Sequence, residues 1–451
     1  MKLLRSIICL MLCVLLCAGC AAPKGEVMET NLLQYAVERA EYPSYPKFVN
    51  AEDYYRKDGS WDHEAYERAN EAAQQALQCL GKTDEVDCTA LLQFADRTVG
   101  RVLLSCGMEN GVYSPVSLYT AMALLAEICG GESRAQVLAA MGAAELEVMR
   151  TAVHRLWINS YCDSGVATSR MASSLWLNER VDYRADTLRT LAENYFASAY
   201  RVTMGTDEAG NAIGQWINEQ TEGLLREETR DIQTEASTLL QMYTTLYFKA
   251  RWMDTFQPDA TEKDAFYPAE GEEITCDFMH ARRTGGYRVG EGYTAASLPF
   301  AAGGGYMTFC LPDENVTLAE LLSRDELVSQ LREMTHYGSI VHWTLPRFDV
   351  KADMPLNDLM KELGVTAAFD RQSADFSPLT GTPAYLSSVR QAARVKIDEE
   401  GVEAAAFTEM AVCTSAMPMG EVEMTLNRPF LFVIYDANGL PLFAGTVQKP
   451  Q

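Results

Sequence analysis

Between Trp61 and Leu80 apolar residues return every three or four positions, at Tyr66, Ala69, Ala73, Ala76, Leu77 and Leu80. That spacing predicts a helix with a single apolar stripe. The same period predicts helices over Leu91–Leu104 and Ser117–Ile128. Further along, the pattern changes to short β-rich runs at Gln241–Phe248, Tyr306–Leu311, Val341–Leu345, Arg394–Ile397 and Phe430–Tyr435. Helices gathered early and strands late predict an α+β fold with large antiparallel or mixed sheets. No repeat and no shift of composition divides residues 89–451, which read as one domain. Residues 21–88 are polar and mixed, broken by Pro43-Ser44-Tyr45-Pro46 and by the turn signal Asp58-Gly59-Ser60. They read as an extension: a tether followed by a helix lying on the main body.

The first twenty residues have another character. Lys2 and Arg5 precede an apolar run from Ile7 to Leu16, interrupted only by cysteines. Such a run falls short of the roughly 20 residues that span a bilayer, and its layout is that of an export signal. Cys17-Ala18-Gly19-Cys20 closes it and resembles a bacterial lipobox, with Cys20 the lipidated residue; Cys17 stands where such boxes usually carry Leu. A redox CxxC would open a helix inside a folded domain instead. The expected location is therefore the outer side of a bacterial membrane, held by lipid.

Composition narrows the function. With 48% hydrophobic residues the chain can bury a large core, and a formal net charge of −24 repels nucleic acid. The later cysteines show neither CxxC nor zinc spacing and read mostly as small core residues, with Cys79 and Cys88 able to pair across a short loop. His63-Glu64 lacks the second His of a metalloprotease helix. No metal, cofactor or catalytic constellation is expected, and so no enzyme.

Residues 401–425 carry the most unusual signal. Ala404-Ala405-Ala406 alone would favour helix. Gly401 interrupts a helix on one side, however, and Met417-Pro418-Met419-Gly420 on the other. Loops longer than about 12–15 residues are uncommon in compact domains unless they are functional or disordered.

Five segments resemble the serpin family, in order and at its spacing. Asn110-Gly111-Val112-Tyr113-Ser114-Pro115-Val116-Ser117 precedes an Ala-rich helix. Thr245–Trp252 resembles the strand leading to the family's Trp, and Leu345-Pro346-Arg347-Phe348-Asp349 the entry to a second sheet. Lys396–Ala406 resembles the loop hinge, and Leu426-Asn427-Arg428-Pro429-Phe430-Leu431-Phe432 the C-terminal signature. The resemblance implies three β-sheets, about eight or nine helices and an exposed reactive-centre loop. It implies a monomer that traps a serine protease as a suicide substrate, in a covalent acyl complex formed by cleavage of the loop and its insertion into a sheet. The hinge is then Glu400, Gly401, Val402, Glu403, Ala404, Ala405 and Ala406. Small residues suit insertion, and Phe407 is larger than the family usually places there.

In the family's register the cut falls at Ser415-Ala416, with Thr414-Ser415 and Ala416-Met417 next. Counting back from Asn427 points about three residues later, but a bond ahead of Pro418 is a poor substrate. A small residue before the cut implies an elastase-like or subtilisin-like target. Ser114 and Ser117 match the shutter where the main sheet opens, Thr244 and Gln391 stand at the family's Asn and His positions, and Trp252 lies near the point of loop entry. The alternatives are a non-inhibitory serpin that is a protease substrate or binding protein, and a lipoprotein whose extension binds the partner.

Overall fold

The computed structural model describes residues 31–83, 86–227, 229–230, 232–402 and 420–450. The lipobox residue Cys20, the hinge residues Glu403–Ala406 and the cleavage candidates Thr414, Ser415, Ala416 and Met417 lie outside the described residues. Tyr35–Gln451 forms one compact unit; of the other, Met1–Gln34, the described part holds a 3-10 turn at Leu32–Gln34.

The described residues contain ten α-helices: α1 (His63–Cys79), α2 (Thr89–Ser105), α3 (Pro115–Ile128), α4 (Gly131–Met141), α5 (Leu146–Ser160), α6 (Ala185–Tyr195), α7 (Asp207–Gln220), α8 (Leu318–Leu322), α9 (Leu327–Leu331) and α10 (Asn357–Glu362). Strands β1 (Ala36–Glu38), β2 (Gly111–Tyr113), β3 (Cys162–Asp163), β4 (Ala167–Asn178), β5 (Ala197–Val202) and β6 (Leu240–Arg251) lie in the first half. Then follow β7 (Thr261–Phe266), β8 (Ile274–Gly290), β9 (Tyr293–Pro299), β10 (Tyr306–Pro312), β11 (His336–Pro346) and β12 (Phe348–Pro355). The last five are β13 (Arg390–Ile397), β14 (Gly401–Val402), β15 (Glu421–Thr425), β16 (Phe430–Tyr435) and β17 (Pro441–Val447).

One hydrogen-bonded sheet runs β1-β5-β4-β6-β14-β13-β12, with β3 on β4. The other runs β15-β11-β8-β9-β10-β16-β17-β2, with β7 on β8. The long β8 joins two parts of this second ladder. Its first residues pair with β7 and its last four with β9, so one continuous strand serves two sheet faces. Counted by face, the fold has three sheets.

Burial explains which sequence patterns were plain. Every residue of β16 and β17 is buried, which is why Phe430–Tyr435 is an unbroken apolar run rather than an alternating one. Helix α3 is buried on nearly its whole circumference. Ser114 caps it by accepting from Ser117 N, and Pro115 sits at the first turn, where the missing N–H has no partner to lose. The stripe on α1 is only half-buried, and no residue of that helix is fully covered. Cys79 and Cys88 are not bonded to each other: both are free.

The extension is laid on the body by backbone and rings. β1 pairs antiparallel with β5, Ala40 N donates to Ser198 Oγ at 3.1 Å, and Phe48 N donates to Ser164 O at 2.9 Å. Tyr42 stacks on Trp157 at 5.6 Å and 9°, and on Phe196 at 6.3 Å. Stacked pairs add about 0.5–1.5 kcal/mol beyond their area. Tyr42→Ala should therefore lower unfolding stability by about 2–3 kcal/mol in denaturant titration, while Tyr42→Phe keeps most of it.

Candidate functional site

β6 is paired along its whole length on one side only. From Ala250 to Leu240 it runs against β4, whereas on its other edge Gly401 faces Arg251 and Val402 faces Ala250. β13 is likewise paired fully with β12, and with β14 only through Ile397 and Val402. Among the described residues no ladder joins β6 to β13 directly. Where β14 lies between them, two strand spacings of about 4.8 Å separate its neighbours. The first sheet therefore holds the beginning of a central strand.

That beginning is fixed by close contacts. A side chain at Gly401 would put its Cβ 2.2 Å from the Ala250 carbonyl oxygen, and the backbone there has φ +152°, so only glycine fits. Val402 is buried at 2% exposure, within the hydrophobic core. The Asp398 carboxylate accepts from Glu400 N at 3.0 Å and closes the turn before it. Trp252 then pins the turn from β6: its backbone N–H donates to Glu400 O at 2.9 Å, and its indole N–H to Asp398 O at 3.0 Å. Its ring is fully buried, stacked 4.9 Å from Phe300. Trp252 is thus both core and positioning residue.

Glu399 is the charged anchor of the same turn. Its carboxylate is almost wholly buried and accepts from Arg347 Nε at 2.9 and 3.0 Å, from Arg347 Nη2, and from the Thr261 hydroxyl. Arg347 also lies 3.5 Å from Asp277. Burial alone would raise the Glu399 carboxyl; the hydrogen bonds from Arg347 and Thr261 outweigh it and hold the group below the usual range. Beside it, Glu400 lies 3.7 Å from the buried Arg251.

Lower in the sheet, Gln391 and Ser114 form a reciprocal pair. Ser114 N donates to Gln391 Oε1 at 2.7 Å, and Gln391 Nε2 donates to Ser114 O at 3.0 Å. The Ser114 hydroxyl donates to Leu442 O at 2.7 Å and lies 2.9 Å from Ser117 Oγ. This ties α3, β13 and β17 together. Thr244, placed by sequence in the same cluster, bonds instead across to Ser173 on β4 at 3.3 Å. Ser114, Ser117 and Gln391 thus meet, Thr244 belongs to the opposite side of the gap, and Trp252 sits at its top. Sequence reasoning missed Ser173, Glu399 as an anchor and its partners Arg347 and Thr261. Glu399 and Arg347 both lie inside segments that carried the resemblance, but nothing in the pattern marked them as a pair.

The family model for serpins, serine protease inhibitors, matches residues 89–450. The wheat (Triticum aestivum) protein Serpin-Z2B is 28% identical over 361 residues, covering 76% of this chain and 90% of that protein. Serpin-Z2A of rice (Oryza sativa subsp. japonica) is 28% identical over 415 residues, covering 81% and 97%. Among solved structures, the thermophilic serpin tengpin in its native state superposes with a TM-score of 0.73 at 21% identity, covering 92% of this chain and all of that one. The chain belongs to the serpin family, whose members are generally protease inhibitors.

The Glu399 anchor has a pH signature. A carboxyl whose folded value is depressed contributes stability that is fully present above the unfolded Glu value of about 4.3 and lost as pH falls through the folded value. Arg347→Ala should cost about 2 kcal/mol at pH 7 by leaving Glu399 buried and unpaired. The gap between variant and wild type should close as pH drops below about 4, measured by urea unfolding across pH.

Proposed function

We propose that this serpin is an inhibitor of a serine endopeptidase, trapping its target as a suicide substrate. The single observation that carries the reading is Gly401–Val402 seated between β6 and β13, with no ladder joining those strands directly among the described residues. The target serine attacks the Ser415 carbonyl carbon, the bond to the Ala416 nitrogen breaks, and the new amine leaves with a proton. An ester then links the protease to the loop. Insertion of the loop behind Val402 carries the ester away before water can hydrolyse it.

The register of the seated residues supports this. Val402 faces Ala250 on one side and Ile397 on the other, both antiparallel. Continuing residue by residue, Ala404 would meet Phe248, Ala406 would meet Leu246, and Thr408 would arrive between Thr244 and Gln391. Sides alternate with a period of two, and Val402 points into the core. Ala404, Ala406, Thr408, Met410 and Val412 would then follow it inward, all uncharged. Glu403, Ala405, Phe407 and Glu409 would take the outer face, where the bulk of Phe407 meets no core packing.

The small residue ahead of the cut favours an elastase-like or subtilisin-like target. The reading includes a bacterial lipoprotein held through Cys20 on the outer side of the membrane, which rests on the layout of residues 1–20.

The test mixes the purified chain with pancreatic elastase or subtilisin on a denaturing gel, with mass spectrometry of the released peptide. A band at the summed mass and a peptide beginning at Ala416 are expected. Clean cleavage with active protease, and no gain in heat stability of the cut chain, would sink the proposal. Ala406→Glu should convert the protein into a substrate, raising the stoichiometry of inhibition at least tenfold, because a charge buried in the sheet costs several kcal/mol. Ala405→Glu should leave inhibition nearly unchanged.

A further inference from the structure

A cavity of about 490 Å³ lies where the extension meets the body. Its walls come from α1, the segment after it, the end of α5, the start of β4, Phe248 of β6, the turn Ala302–Gly304 and the turn Asp436–Asn438. Small-molecule sites occupy roughly 300–1,000 Å³. Two features set this cavity apart from a packing gap between elements. It is lined by a buried acid and a partly buried base, and two of its residues hold a buried oxygen without a partner among the described residues.

The acid is Asp436. Its Oδ1 accepts from Asn438 N at 2.8 Å and Leu440 N at 2.9 Å, which accounts for the turn. Among the described residues its Oδ2 has no hydrogen-bond partner, and neither does the hydroxyl of Ser169, which lines the same cavity. A buried carboxylate oxygen without a donor is costly, and burial pushes the group up to about 6.

The base is Lys82. Its Nζ donates to Asn159 O at 2.9 Å and lies 5.1 Å from the Tyr45 ring centroid. Burial pulls this ammonium down from the ordinary lysine range. Asp436 and Lys82 feel each other's charge, but the ion pairs among the described residues do not include the two together. Each therefore has unspent capacity for an opposite charge. A simple anion would face Asp436 in a chain of net charge −24, and a simple cation would face Lys82. A molecule with both charges matches the pair without adding net charge.

We infer that this cavity binds a small zwitterion, an amino acid or dipeptide, with its ammonium on Asp436 and its carboxylate on Lys82. Leu77, Tyr45 and Phe248 supply apolar wall for a side chain. Ser169 and Phe248, which line it, face each other in the β4–β6 ladder. It is independent of the inhibitory reading, because it requires neither cleavage nor insertion.

The test is isothermal calorimetry of the uncut full chain with glycyl-L-leucine, N-acetylglycyl-L-leucine, glycyl-L-leucinamide and glucose. The free dipeptide should bind and raise the melting temperature, and each capped form should bind at least tenfold more weakly. Lys82→Met should abolish the preference for the free carboxylate, and Asp436→Asn the preference for the free ammonium. Should Asp436→Asn fail to fold, Gln74→Trp, on the exposed side of α1 at the cavity wall, is expected to block binding without touching the core. No heat and no shift at millimolar glycyl-L-leucine would overturn the inference. Equal binding of the capped forms, preferential binding of glucose, or undiminished binding by Gln74→Trp would do so too.

Discussion

Every backbone N–H and C=O in a sheet interior needs a partner, and a strand has two edges on which to find them. β6 meets this requirement completely toward β4 but, among the described residues, only at its last two positions toward β14. β13 has the mirror-image arrangement against β12. Much of the surrounding detail serves to hold those two positions. Trp252 fixes the approaching turn, Glu399 and Arg347 lock its charge, and Gly401 permits an approach that a methyl group would block. The Ser114–Gln391 pair belongs to the same scheme, since it ties β13 to the helix beneath while Thr244 ties β6 to β4.

How much of this the sequence revealed depends on the range of the interaction. The helical stripe over Trp61–Leu80 and the apolar run Phe430–Tyr435 emerge as α1 and β16 because local period and burial coincide there. Helices α8, α9 and α10 span five or six residues each, too few for a 3.6-residue period to register. The joining of two faces by β8 was equally hidden, because a strand that changes neighbours along its length carries no turn signal to mark the change. The serine cluster and Trp252 were found through the family's motifs. Glu399 was not singled out as an anchor, because with 62 acidic and 38 basic residues in the chain, nothing local marks Arg347 as its partner. Thr244 was matched to a shutter position, and its bond to Ser173 was not foreseen, since alignment gives a position along a strand but not the partner its hydroxyl selects.

The extension changes what the body can be considered to include. It adds an edge strand to the first sheet, inserts Tyr42 into a stack with Trp157 and Phe196, and closes one side of the cavity through α1. Residues from Tyr35 onward therefore belong physically to the same compact unit as the motifs that define the family. A tether would need none of these contacts. Their cost in ordered backbone is offset by ring stacking and by hydrogen bonds to strands already in place.

Because nothing larger than hydrogen fits at Gly401, the register of whatever follows Val402 has a single origin. A strand with a fixed first position becomes a ruler: in the inserted state proposed above, at about 3.3 Å per residue, the stretch from Val402 to Ser415 would measure roughly 40 Å. β6 offers neighbours only as far as Leu240, opposite the position that Val412 would reach, so the last few residues would run beyond the end of the strand. If the proposed insertion takes place, adding or removing a residue between them would shift where a passenger comes to rest by one step and turn every later side chain to the other face of the sheet.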